Sequence, residues 1–115
     1  MAVRADTDLE FNILRTVCRE SVAREVRTLL MPKLNPLHFE SVTAQNLFRR
    51  IKHVLEKDQS IPSWDYLLKD PGIRKETRQA MKQMRPKSFK TPDAIRQGYT
   101  LLDTYRQVRA LYNMG

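Results

Sequence analysis

His38-Phe39-Glu40-Ser41-Val42-Thr43-Ala44-Gln45-Asn46-Leu47-Phe48-Arg49-Arg50-Ile51 carries a capping signal followed by an apolar pattern of helical period. Ser41 or Thr43 is placed to cap a helix, because a hydroxyl just before an apolar-periodic run accepts a hydrogen bond from a first-turn amide that has no helical partner. Leu47, Phe48, Ile51, Val54 and Leu55 then fall on one face, and Phe39 sits where it packs back on that face. The spacing predicts an amphipathic helix over about 42 to 57.

Outward from this helix the same kinds of signal recur, with almost no alternating pattern to suggest a strand. Toward the amino terminus, Thr7-Asp8-Leu9-Glu10 reads as a capping box, and Leu9, Ile13, Leu14 and Val17 follow at helical spacing. A first helix is expected from about 8 to 19. Ser21 is placed to cap a second helix with Val22, Val26, Leu29 and Leu30 on its inner face, and Pro32 ends it by removing a donor. Asn35-Pro36 marks the loop that follows. Toward the carboxyl terminus, Asp58-Gln59-Ser60 and Pro62 form a linker, and Ser63 caps a short helix holding Trp64, Leu67 and Leu68. Asp70-Pro71-Gly72 closes it as a turn.

A fifth helix, about 73 to 84, has two faces of different character. Ile73, Ala80, Met81 and Met84 make a thin apolar stripe, whereas Arg74, Arg78, Lys82 and Arg85 gather on one side, with Lys87 and Lys90 extending the charge past Pro86. Like charges at i, i+4 repel by a few tenths of a kcal/mol, which a bound anion would offset. These six cations are candidates for nucleic-acid contact, and a solvated face is the competing reading. The stripe holds no Asn or Gln among its four cations to read a base edge, so single- or double-stranded DNA would be held weakly and through phosphate.

The last helix is announced by Thr91-Pro92-Asp93, an N-cap, a proline at the first helical position and a first-turn acid. From there to Asn113 only Gly98 interrupts it. Ile95, Tyr99 and Leu102 form one stripe, and Leu101, Tyr105, Val108 and Tyr112 a neighbouring one, with Leu111 between. Apolar surface on two faces suggests that one packs on the domain while the other meets a second chain or element. A wide core stripe with exposed tyrosines is the alternative.

Composition sets the scale. The 115 residues, 41% hydrophobic and 30% charged, suffice for one modest core. The single cysteine, Cys18, makes no internal disulfide and suits a reducing, cytoplasmic setting, where it reads as a small buried hydrophobe. No apolar run approaches the roughly 18 residues of a membrane span, and the first residues lack the apolar stretch of a signal peptide. Of the formal net charge of +8, nearly all lies in the last third: residues 71–115 hold 10 Lys+Arg against 3 Asp+Glu, and residues 1–70 hold 11 against 10. Such an excess favours a nucleic acid or an acidic protein surface as partner.

Taken together, the segment from His38 to Ile51 and the later Ser60-Ile61-Pro62-Ser63-Trp64-Asp65-Tyr66-Leu67-Leu68 resemble the amino-terminal domain of a DnaB-type replicative helicase of the phage-like variety. More loosely, Ala94–Tyr99 through Arg109–Tyr112 are similar to the first helix of the helical hairpin that follows the head in that family. The similarity covers roughly residues 8 to 112 and consists of apolar and capping patterns rather than invariant chemistry. It implies an all-α bundle of five or six helices, with a head over residues 1–90 and an assembly helix over 91–115. It also implies a collar role in DNA replication: subunit association, and docking of a primase or a helicase loader. Carried over residue by residue, Tyr99, Leu101, Leu102, Tyr105, Val108 and Tyr112 become candidates for self-association or for contact with a replicative helicase. The second hairpin helix and the motor domain of the family are absent from the sequence, so both a helicase fragment and a free-standing mimic or inhibitor, in a bacterial or phage-infected cell, fit this reading.

Catalysis finds no support in the residues. With three glycines, Gly72, Gly98 and Gly115, and no G-x-x-x-x-G-K-[ST], no phosphate loop is present. His38 and His53 have no second imidazole or thiol at ligand spacing, so neither metal nor cofactor is expected. His53 reads as an outer-face residue beside Arg49, Arg50 and Lys57. No nucleophile turn of the G-x-S-x-G kind occurs. The remaining alternatives to a replication module are a small basic protein that binds nucleic acid non-specifically, and a phage or plasmid regulator unrelated to helicases.

Overall fold

A computed structural model describes residues 6–18 and 28–113, and among them the chain is all helical, with no strand. Five α-helices are defined: α1 (Thr7–Val17), α2 (Val42–Asp58), α3 (Trp64–Lys69), α4 (Lys75–Met84) and α5 (Pro92–Asn113). Single 3-10 turns at Met31–Lys33 and Pro36–His38 lead from the first helix toward the second.

Helix α1 is the pivot. Seven of its residues, Leu9, Glu10, Phe11, Ile13, Leu14, Thr16 and Val17, are buried, because α2, α4 and α5 all pack on it. Phe11, Ile13 and Leu14 have no exposed surface at all. Burying side chains of that size contributes about 1.5 to 3 kcal/mol each. Leu47, Phe48 and Ile51 of α2 meet α1 from one side, with Phe39 against Phe48 at a ring-centroid distance of 5.0 Å. Trp64 and Leu67 of α3, Met81 of α4, and Ile95 and Leu102 of α5 complete one continuous core. Arg15 lies over the Trp64 ring at 5.3 Å, a cation–π contact that shields the indole from solvent.

Helix starts follow the local chemistry where it is local. Ser41 caps α2 through the amide of Ala44, Ser63 caps α3 through the amide of Tyr66, and the Thr91 hydroxyl accepts from the amide of Ala94 at the head of α5. The turn at 70–72 is held from within: the Asp70 carboxylate accepts from the Gly72 amide at 2.8 Å and takes a two-pronged hydrogen bond from Arg50 at 2.7 and 3.0 Å. The Arg50 guanidinium lies so close over Gly72 that a Cβ there would come within 2.4 Å of its central carbon. A side chain at 72 would displace the guanidinium from its two bonds to Asp70.

Several expectations are corrected. The N-cap of α1 is Asp6, not Thr7, and its side chain accepts from Leu9. Glu10 does not close a capping box; it is buried, and its carboxylate accepts the amides of Glu40 and Ser41 at 3.0 and 3.1 Å, so it binds α1 to the head of α2. The expected second helix, with Ser21, Val22 and Val26, falls mostly on residues outside those described; residues 28 and 29 are helical, and the helix stops at a turn at Leu30, ahead of Pro32 as expected. Of its remaining members Leu30 is buried, but Leu29 is 40% exposed rather than inward. Pro32 stands inside the 3-10 turn Met31–Lys33, where it occupies a first-turn position and costs no hydrogen bond. Helix α4 begins at Lys75, with Arg74 as its N-cap residue, and its inner face includes Thr77, a polar residue that the apolar pattern passes over. Thr77 is satisfied: its hydroxyl donates to Asn46 of α2 at 2.9 Å, and the same amide oxygen accepts from the backbone of Arg74 at 3.4 Å.

Candidate interaction surfaces on the final and basic helices

Helix α5 changes character along its length. Its first half is bedded in the core by Ile95 and Leu102. Gly98 lets it settle: a Cβ there would meet the Phe89 ring at 2.9 Å and Ile13 at 3.3 Å. After Leu102 no residue from 103 to 112 is fully buried. A polar network replaces the apolar one. His38 is buried, its Nδ1 accepts the backbone N–H of Asn35 at 3.1 Å, and its Nε2 therefore carries the proton and donates to Asp103 at 2.8 Å. Asp103 also accepts from Arg106 Nε at 2.8 Å and Gln107 Nε2 at 2.8 Å. The Arg106 bond, ahead of opposing desolvation and aided by His38 and Gln107, holds the Asp103 carboxyl down at about 2.

One turn further on, Arg109 donates to the carbonyl of Leu37 at 2.9 Å and pairs with Glu40 at 3.1 Å. Its Nη1 is buried and unpartnered among the described residues. A surface cleft of about 240 Å³ opens here between Pro36–Glu40 and Arg106–Ala110.

The six expected assembly residues separate accordingly. Leu102 is 1% exposed and belongs to the core. Tyr99 and Tyr105 are partly buried and pack against that core; the Tyr99 ring lies 5.5 Å from His38, with Lys33 above it. Val108 is half-buried, and Leu101 and Tyr112 are exposed, the latter at 60%. Leu101, Val108 and Tyr112 stand at i, i+7 and i+11, one stripe about a hundred degrees round the axis from Ile95 and Leu102. Leu111, 70% exposed, widens it.

The basic helix is also redistributed. Arg74, Lys82, Arg85, Lys87 and Lys90 are exposed. Arg78 is not free, since its guanidinium donates to the backbone carbonyl of Asp70 at 2.7 Å, which makes it a brace for the 70–72 turn. Lys75, passed over in the sequence, is exposed and takes its place on the outer face, two turns before Lys82 with Gln79 between. Among the described residues none of Arg74, Lys75, Lys82, Arg85, Lys87 and Lys90 is in an ion pair. The loop that follows is pegged to α1: Asn12 Oδ1 accepts the amide of Lys87 at 2.9 Å and Thr16 Oγ1 accepts that of Phe89 at 2.8 Å.

His53 is exposed on α2, as its position implies. Burial pushes the Cys18 thiol up to about 12, against a smaller opposing effect of Arg15, so it remains protonated and apolar in character. Among the described residues no group of three or more His, Cys, Asp or Glu is arranged to hold a metal ion, and no helix is long and apolar enough to cross a membrane. The contacts by which Glu10, His38, Asp103 and Arg109 join separate elements leave no trace in the sequence, because those partners lie 30 or more positions away, whereas the Asp103 bonds to Arg106 and Gln107 span a single helical turn. Compared with known proteins, the chain matches no family model, no curated protein and no solved structure.

Proposed function

We propose that this chain is a non-catalytic protein-interaction module of DNA replication, of the kind found at the amino terminus of DnaB-type replicative helicases, and that α5 is its contact element. The observation that carries the reading is the division of α5: Ile95 and Leu102 commit one face to the core up to mid-helix, while Leu101 at that point and Leu111 and Tyr112 beyond it face outward on a helix braced from beneath by Asp103 and Arg109. A rigid helix with an uncovered apolar stripe is prepared for a second helix, because ordering costs have already been met within the domain. Two copies packing antiparallel through this stripe, or one copy packing on the collar of an intact helicase, would cover it; a primase or a helicase loader is the other partner this surface could serve. The capped helix at Ser41, with Phe39 folded back on it, and the Pro62-Ser63 start of α3 agree with the same resemblance.

Light scattering across a concentration series tests it. Self-association, or capture by a replicative helicase, is expected for the unaltered chain, and Leu101→Glu with Tyr112→Glu is expected to give a folded monomer. Tyr105 is unsuitable for this purpose, since it packs against the core and its substitution by Glu would disturb the fold. An unaltered chain that stays monomeric at high concentration and binds no helicase overturns the reading.

A further inference from the structure

The outer face of α4 and the loop beyond it form a second surface, separate from the apolar stripe of α5, and it has its own chemistry. From residue 74 to residue 90 the chain carries seven Lys or Arg and one acid, Glu76. Six of the seven cations are exposed, and Arg78 alone is turned to internal use. Cations at this density, in no ion pair among the described residues, repel one another, and they stand on a helix whose buried side is complete without them.

Two features give this charge a shape. Lys75 and Lys82 lie on one meridian of α4, two turns apart, so about 10.5 Å separates them along the axis, close to three nucleotide steps at about 3.4 Å each. With Lys75 on this face the cations are no longer without amides: Gln79 and Gln83 are exposed on the same side and offer donors that suit phosphate oxygens. The second feature is the backbone after the helix. Arg85 adopts the left-handed conformation that stops α4, and the Asn12 and Thr16 side chains then fix the amides of Lys87 and Phe89. The lysines at 87 and 90 are therefore carried by a held segment rather than a free one.

From this arrangement we infer that the α4 face and the 85–90 loop bind the phosphodiester backbone of duplex nucleic acid without reading its sequence. The outer face of α4 presents no aromatic side chain on which an unpaired base could stack, which separates a duplex from a single strand. The contact is electrostatic, so its affinity depends on salt through counterion release.

Fluorescence anisotropy with a labelled DNA duplex two helical turns long tests the inference. Binding in the micromolar range is expected at low salt, with a log–log salt slope of about −3 or steeper. Lys75→Glu, Lys82→Glu and Lys87→Glu together are expected to weaken it at least about tenfold, and the corresponding Gln variant to weaken it less, because both remove phosphate contacts but only the first adds repulsion. The control carries the same charge change on exposed lysines elsewhere, Lys52→Glu, Lys57→Glu and Lys69→Glu, and is expected to keep most of the affinity. No binding at low salt, or equal loss in the control, overturns the inference. Displacement of the duplex by polyglutamate at equal charge overturns it in favour of an acidic protein partner, and a single strand that binds as tightly as the duplex overturns the assignment of duplex. Leu101→Glu with Tyr112→Glu leaves this surface intact, so its DNA binding is expected to be unchanged whether or not α5 mediates assembly.

Discussion

Asp103 takes three hydrogen bonds from three side chains, which favour its ionised form in the folded chain. Its folded pKa, about 2, lies below the ordinary value of 3.8. The stability it adds is therefore present in full above the unfolded value and is lost as pH falls from about 4 through about 2. That lowering corresponds to at most roughly 2 kcal/mol, reduced by solvent screening of the partly exposed pair. Asp103→Asn should be less stable than the unaltered chain by up to that amount at neutral pH, with the gap closing near pH 2, as urea unfolding at the two pH values will show. Equal gaps at both would place the stabilisation in packing instead. Asp70 acts in the same direction: burial raises its pKa, but the Arg50 hydrogen bonds and the Gly72 amide outweigh that and leave it lowered. Glu10 is the opposite case, its pKa raised because burial exceeds the help of the two amides it accepts.

At the scale of the element, helix ends divide into those written locally and those written elsewhere. Ser41, Ser63 and Thr91 are legible as caps because donor and acceptor lie three residues apart. The capping of α4 is not, since its hydroxyl and amide go to Asn46 on another helix, and neither is the use of Glu10, whose donors lie 30 and 31 positions on. Helices α2 and α4 also end without glycine, on Gln59 at φ 57° and Arg85 at φ 45°, a left-handed conformation that costs a side chain about 1 kcal/mol. Gln59 is exposed, and among the described residues its side chain forms no hydrogen bond. Gln59→Gly should therefore stabilise the fold, by about 0.5 to 1 kcal/mol in chemical denaturation, and a loss of stability would mean that the position is not strained.

Over the whole molecule, the all-helical class and the long final helix follow from periodicity, which reports what each helix does with its own faces. Which of two apolar stripes on α5 is covered depends on α1 and on the turn at Pro36–His38, and periodicity carries no information about neighbours. That is why Tyr105 packs inward while Leu101, one turn earlier, lies exposed. Because Ile95 and Leu102 share a single core with Phe11, Leu47 and Trp64, α5 should not melt apart from the rest. Trp64 fluorescence and helical circular dichroism should give one coincident transition, and separate midpoints would mean that the final helix is an independent unit.

The pegs from Asn12 and Thr16 bear on time as well as place. The hydrogens on the amides of Lys87 and Phe89 exchange with water when α1 releases them, so a loop flanked by exposed lysines is tied to the slow clock of a helix buried along most of its length.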